Sequence, residues 1–214
     1  MKKNLTEMVF ILDRSGSMHG LEADTIGGFN SMIEKQKGME GEALVSTVLF
    51  DDTSRVLHDR VPLEEIRPMT RRDYEVGGCT ALVDAIADAI HHIGNVHKYA
   101  RAEDVPEHTV FVITTDGMEN ASRRHSAEEV RRMIRQRQEQ GWEFFFLGAN
   151  MDGVETAARY GIPADRAVTY HCDSIGVGMN FEAVGMALED CRRAAPRSAR
   201  WKEGVEADVR RRGQ

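Results

Sequence analysis

Three short segments of the chain carry side chains that belong together chemically. Asp13-Arg14-Ser15-Gly16-Ser17 comes directly after the apolar run Met8–Leu12. Gly77-Gly78-Cys79-Thr80 comes directly before a helical pattern, and Asp116-Gly117 directly after the run Val110–Thr115. Two carboxylates and three hydroxyls, with no histidine or thiolate required, form a hard oxygen donor set. Such sets suit Mg2+, Ca2+ or Mn2+ and disfavour zinc. If the first segment runs extended, Asp13, Ser15 and Ser17 project to one side. Gly16 lets the backbone turn closely around an ion, and Gly77 and Gly78 allow close approach of the segment that bears Thr80.

These residues share a site only if the surrounding elements bring them together. Met8–Leu12 is continuously apolar, the mark of a strand covered on both faces, and Ala43–Phe50, Val110–Thr115, Trp142–Leu147 and Ala167–Tyr170 read similarly. Between them lie helical patterns. Leu21–Lys37 carries Ile26, Phe29, Met32 and Ile33 at helical spacing. Ala81–Val96 carries the stripe Leu82, Ile86, Ala89, Ile90 and Ile93, with Gly94 as its expected C-terminal cap. Ser126 and Glu129 form a capping box that opens a helix to about Gln140. Asp152 and Glu155 open another, stopped by Gly161 and Pro163. Alternating strands and helices predict an α/β sheet with helices on both faces. One connection departs from this: the five residues 51–55 between Phe50 and Val56 are too few for a parallel crossover. A mostly parallel sheet with one antiparallel edge strand, Arg55–Val61, is expected, ending before Pro62. In an open α/β sheet the carboxyl ends of parallel strands line the ligand crevice, where Asp13 and Asp116 meet if their strands are neighbours. The longest irregular stretch, Pro62–Cys79, is of a length that often carries function.

Asp13-x-Ser15-x-Ser17, Thr80 in Gly-x-Thr-x-Leu and Asp116 in Thr-Thr-Asp-Gly resemble the metal-ion-dependent adhesion site of von Willebrand factor A (vWA) domains, over roughly residues 5–190. The resemblance implies a doubly wound, mostly parallel six-stranded sheet with one antiparallel edge strand. It implies that Ser15 and Ser17 bind a divalent cation directly, that Thr80 does so in the high-affinity state, and that Asp13 and Asp116 act largely through water. The cation, Mg2+ with Mn2+ or Ca2+ as alternatives, would then bridge to an Asp or Glu carboxylate of a partner protein, with no chemical step. By family analogy the partner belongs to an AAA+ ATPase or stress-response system such as tellurite resistance.

Composition fits an ordinary globular protein: 214 residues, 41% hydrophobic, and 28 Lys and Arg against 35 Asp and Glu for a net charge of −7. Intrinsic disorder is excluded by the apolar fraction, and no apolar run approaches the roughly 20 residues of a membrane helix. Lys2 and Lys3 precede an apolar run too short for a secretory signal, so a cytoplasmic location is expected. Cys79, Cys172 and Cys191 make neither a disulfide framework nor a zinc knuckle. The charge is uneven. Arg192–Gln214 carries seven Arg and one Lys against three acids, net +5, leaving −12 on the rest. The expected organisation is a vWA-like domain over 1–190 and a basic tail over 191–214, the tail solvated and partly helical. An acidic body repels phosphate, which argues against nucleic acid as partner.

Other residues have a plain reading beside a functional one. Asp51-Asp52 reads first as a hairpin turn and second as part of the rim. Glu119, Asn120 and Asn150 read as caps, with partner or water contacts as the alternative. His19 reads as a solvated loop residue, while Arg14 is balanced between structure and partner. His91, His92 and His97 read as a helix surface, Cys79 as a small buried residue, and the arginines between Arg123 and Arg137 as a solvated helix face laced with ion pairs. The competing function is a metal-assisted phosphatase or hydrolase with Asp13 as nucleophile. It lacks the second acid two residues on, where Ser15 stands, and neither a P-loop nor a nucleophile elbow is present.

Overall fold

The computed structural model describes residues 1–149 and 152–213. Six strands form one sheet: β1 (Lys2–Asp13), β2 (Glu42–Phe50), β3 (Ser54–Pro62), β4 (Pro106–Thr115), β5 (Glu143–Ala149) and β6 (Ala167–Tyr170), in the order β3-β2-β1-β4-β5-β6. All neighbours are parallel except β2 and β3, which pair as the expected edge hairpin from Phe50↔Ser54 to Leu44↔Pro62. The order reverses at β1, which runs between β2 and β4. Its register, Asp13↔Phe50 on one side and Leu12↔Thr114 on the other, sets the ends of three strands side by side. That is the switch point at which doubly wound sheets bind ligands.

Helices cover both faces. On one face α1 (Glu22–Lys37), α5 (Ser174–Arg192) and α6 (Glu203–Arg212) bury Phe10, Leu12, Phe29, Phe145 and Phe181. On the other, α2 (Leu82–Tyr99), α3 (Ala127–Glu139) and α4 (Gly153–Arg159) bury Ile11, Ile86, Ile90, Phe111 and Phe146. Apolar side chains thus leave the central strands in both directions, which is why Met8–Leu12 has no polar alternation. The Ser126–Glu129 capping box and the Asp152 cap form as the sequence predicts.

Three expectations are corrected. Gly94 does not end its helix; α2 runs on to Tyr99. A Cβ at Gly94 would lie 1.9 Å from the Arg137 guanidinium, whose carbon stands 4.7 Å from the Trp142 ring centre. The glycine makes room for a packed cation–π pair. The longer helix also takes His97 off the surface. Its Nε2 lies 2.8 Å from Glu7 Oε2 and Arg60 Nε 2.7 Å from Oε1, so a fully buried carboxylate keeps two basic partners. His91 and His92 stay exposed.

The third correction concerns the C-terminal segment, which is partly helical as expected but is docked on the core rather than free in solvent. Trp201 and Val205, each 2% exposed, join the core beside Phe145 and Leu188. Lys202 donates to the carbonyls of Ala164 and Ala167 at 2.8 and 3.1 Å, and Trp201 Nε1 to that of Asp165 at 3.0 Å. Truncating the indole would leave a cavity, so Trp201→Ala is expected to cost about 3–5 kcal/mol in urea unfolding. A tail in solvent would change stability by no more than about 0.5 kcal/mol.

Candidate metal centre

The five predicted side chains meet at the C-terminal edge of β1 and β4. Asp13, the last residue of β1, is buried. Its Oδ1 accepts the Ser15 N–H at 2.7 Å and its Oδ2 the Thr115 hydroxyl at 2.6 Å. Burial pushes the Asp13 carboxyl above the usual aspartate range; these hydrogen bonds pull it back, and the nearby Asp116 charge adds to the rise. Ser15 Oγ stands 3.0 Å from Ser17 Oγ, which donates to Asp116 Oδ1 at 2.6 Å. The connecting loop is not extended as expected. Gly16–Met18 forms a 3-10 turn, closed by Met18 N–H on the Ser15 carbonyl at 3.0 Å, and this turn rather than side-chain alternation brings the two serines together.

Thr80 completes the group. It is 3% exposed. A Cβ placed on Gly117 would lie 2.7 Å from Thr80 Oγ1, 3.4 Å from Ser17 Oγ and 3.7 Å from Ser15 Oγ. Three hydroxyls therefore face the space that the absent side chain of Gly117 leaves open. An oxygen-rich pocket of this kind is a donor set suited to a hard divalent cation. Among the described residues no three His, Cys, Asp or Glu side chains gather as a metal site.

The neighbouring loops fix this cluster from below and from the side. Tyr74, in the long irregular stretch, is buried, and its hydroxyl donates to the Asp13 carbonyl; burial pushes its phenol well up. Gly77 N–H bonds the Arg14 carbonyl at 2.9 Å and Gly16 N–H the Gly78 carbonyl at 3.1 Å. Gly78 has φ +75°, and a Cβ there would lie 2.2 Å from Asp52 Oδ1, so this turn needs glycine. Beyond it Cys79 is exposed rather than buried, while Thr80 points inward.

Arg14 finds its acid inside the chain: Nη2 lies 2.8 Å from Asp51 Oδ2. Asp51 also makes the expected hairpin turn, accepting the Thr53 N–H at 2.7 Å. Glu119 and Asn120 act as caps. Helix α2 begins after Ala81, which has no side chain to cap it. Glu119 Oε2 accepts from Val83 N–H at 2.8 Å and Ser122 Oγ from Asp84 N–H at 3.0 Å, so another loop satisfies the orphan donors. Asn120 holds Thr80 by both backbone groups, at 2.9 and 3.0 Å. His19 is solvated, beside Glu22. Asn150 lies outside the described residues.

Three contributors escape a reading of motifs: Tyr74, Asp84 and Cys172. Cys172 Sγ stands 3.3 Å from Asp116 Oδ2. The only sequence signal for it is its place just past a predicted strand end.

A family model for VWA domain containing CoxE-like proteins matches residues 2–172, a stretch that holds all five site residues and ends on Cys172. The chain belongs to this CoxE-like VWA family. No curated protein sequence matches it. Similar solved folds include the vWF domain of the type V pili tip protein Mfa5 from Porphyromonas gingivalis, at 10% identity and TM-score 0.63, with 86% of this chain and 95% of that one covered. Proximal thread matrix protein 1 of the mussel byssus, solved with a zinc-occupied MIDAS motif, matches at 14% identity and TM-score 0.57 over 86% of this chain and 45% of that one. The ArnB paralog VWA2 from Sulfolobus acidocaldarius matches at 17% and 0.53, over 85% and 44%. This chain spans less than half the length of the latter two. Among the described residues no helix is long and apolar enough to cross a membrane.

Asp84 provides a test of the brace beside the site. Burial raises its pKa, but the N–H groups of Arg123, His125 and Arg124, with the Arg124 guanidinium, outweigh that and hold it below the usual range. A carboxyl with a lowered folded pKa stabilises above its unfolded pKa, and the effect is lost as pH falls through the folded value. Asp84→Asn is therefore expected to cost roughly 1–3 kcal/mol at neutral pH. The gap to wild type should shrink as denaturation is measured at pH values descending through and below the ordinary aspartate range. A pH-independent gap would contradict this role.

Proposed function

We propose that this CoxE-like VWA chain is a cytosolic, non-enzymatic protein-binding module that uses a divalent cation to take hold of an acidic side chain of its partner. The observation that carries this reading is the convergence of the Thr80, Ser15 and Ser17 hydroxyls on the space beside Gly117. Ser15, Ser17 and Thr80 would hold the cation directly, and Asp13 and Asp116 would hold its water. Mg2+ is the expected ion, with Mn2+ or Ca2+ as alternatives. Bound there, the cation supplies an incompletely neutralised positive point to which an Asp or Glu carboxylate can attach. An AAA+ ATPase is the partner class that the vWA resemblance suggests.

The residues themselves favour binding over hydrolysis. Asp13, the one nucleophile a phosphatase reading offers, is buried and has both oxygens engaged by Ser15 and Thr115. A nucleophile must reach its substrate, whereas a carboxylate that orients water and hydroxyls need not. The three cysteines form no disulfide, in keeping with a reducing compartment.

Mg2+ or Mn2+ at about a hundred times its dissociation constant should stabilise the fold by about 2.7 kcal/mol, read as a rise in melting temperature. Asp13→Ala should abolish the rise. So should Gly117→Ala, whose methyl group fills the space between the hydroxyls and leaves the carboxylates intact. In an affinity capture, a partner retained in Mg2+ but lost in EDTA and with either variant would support the module. Full retention in EDTA would refute the metal bridge.

A further inference from the structure

Asp116 is held on both sides. Oδ1 takes the Ser17 hydroxyl, and Oδ2 lies 3.3 Å from the thiol of Cys172. The thiol is the donor in this contact, because a carboxylate only accepts. We propose that Cys172 is a positioning residue of the metal centre: its thiol turns Asp116 so that the opposite oxygen meets Ser17, and divalent-cation binding thereby depends on an unmodified thiol. The inference rests on the metal reading above and adds a residue that the motif does not contain.

Three observations support it. Cys172 is fixed in place from both sides along the chain. Tyr170, two residues before, is the buried last residue of β6. Asp173, one residue after, caps α5 by accepting the Gly176 N–H at 2.8 Å, and its other oxygen pairs with Arg212 of α6. The thiol is thus presented from a braced corner and not from a loose loop. Second, the Asp116 that it contacts accepts from Ser17, one of three hydroxyls that face the space beside Gly117. Third, the line of contacts is continuous, from Cys172 to Asp116 to Ser17 to Ser15. Outer partners that orient metal-binding groups typically contribute tenfold to a hundredfold in affinity.

The other cysteines make the test clean. Burial pushes the Cys191 thiol up to about 12, which keeps it unreactive near neutral pH, and Cys79 is exposed and can be replaced. In a Cys79→Ser background, Mn2+ affinity is measured from the loss of the free-ion electron paramagnetic resonance signal. Cys172→Ala should weaken Mn2+ binding by about tenfold or more, with the metal-free melting temperature unchanged. Cys172→Ser, which restores a donor, should recover most of that loss. Alkylating Cys172 with N-ethylmaleimide should weaken binding at least as much as the alanine variant. Wild-type affinity in Cys172→Ala, or a serine variant as weak as alanine, would overturn the positioning role while leaving the metal centre standing. Absence of Mn2+ binding in the parent protein would remove the metal reading and this one with it.

Discussion

A carboxylate buried at the end of the central strand governs much of this molecule. Asp13 sits where β1 stops between β2 and β4, and a polar group buried there needs hydrogen bonds to offset its desolvation. Thr115 supplies one from the end of β4, and the Ser15 backbone supplies another by folding back two residues on. The first bond ties two strand ends together. The second bends the chain into the 3-10 turn that sets Ser15 Oγ and Ser17 Oγ 3.0 Å apart. Satisfying the acid and assembling the hydroxyls are therefore one event. With both Asp13 oxygens engaged in this way, the Ser15 and Ser17 hydroxyls join that of Thr80 around the space beside Gly117.

Helix α2 solves a related problem on the other side of the cluster. Its first turn follows Ala81 and brings no side chain to cap it, so Val83 and Asp84 take acceptors from Glu119 and Ser122. Asp84 returns the favour to the backbone of residues 123–125. The loop after β4 and the start of α2 thus close on each other. Since Thr80 lies just before that helix and Asp116 just before that loop, the same bonds set their separation. The exchange costs the helix its own cap, and in return the position of Thr80 depends on a second loop.

The sheet was legible because its signals are local: continuous apolar runs mark strands covered on both faces, and a five-residue link forbids a parallel crossover. Asp13, Ser15, Ser17, Thr80 and Asp116 could be picked out because each sits at a strand or helix end, and strand ends are where such sheets gather polar groups. What stayed hidden depends on contacts across the chain. Gly94 looks like a helix cap until Arg137, more than forty residues away, is seen to need its space. His97 reads as surface until α2 is long enough to reach Glu7. Cys172 lies 56 residues from Asp116 in sequence. No local pattern encodes any of these pairings, since each depends on how layers stack.

Charge shows the same limit most clearly. Counted along the chain, Arg192–Gln214 is a basic stretch of net +5 that reads as a solvated tail. In the fold most of that charge is already engaged: Arg197 pairs with Asp165, Arg211 with Asp208, Arg212 with Asp173 and Asp208, and Lys202 with Glu206. Arg192 donates to the carbonyls of Gln36, Glu40 and Gly41 near the end of α1. Arg197 and Arg212 reach acids of the body, the other pairs close within the segment, and Trp201 and Val205 fasten the segment to the core. Its last helix then reaches Asp173, the residue beside Cys172, so the stretch that looked like an appendage braces one corner of the candidate metal centre. Charge already engaged in this way leaves these arginines little to offer an acidic partner.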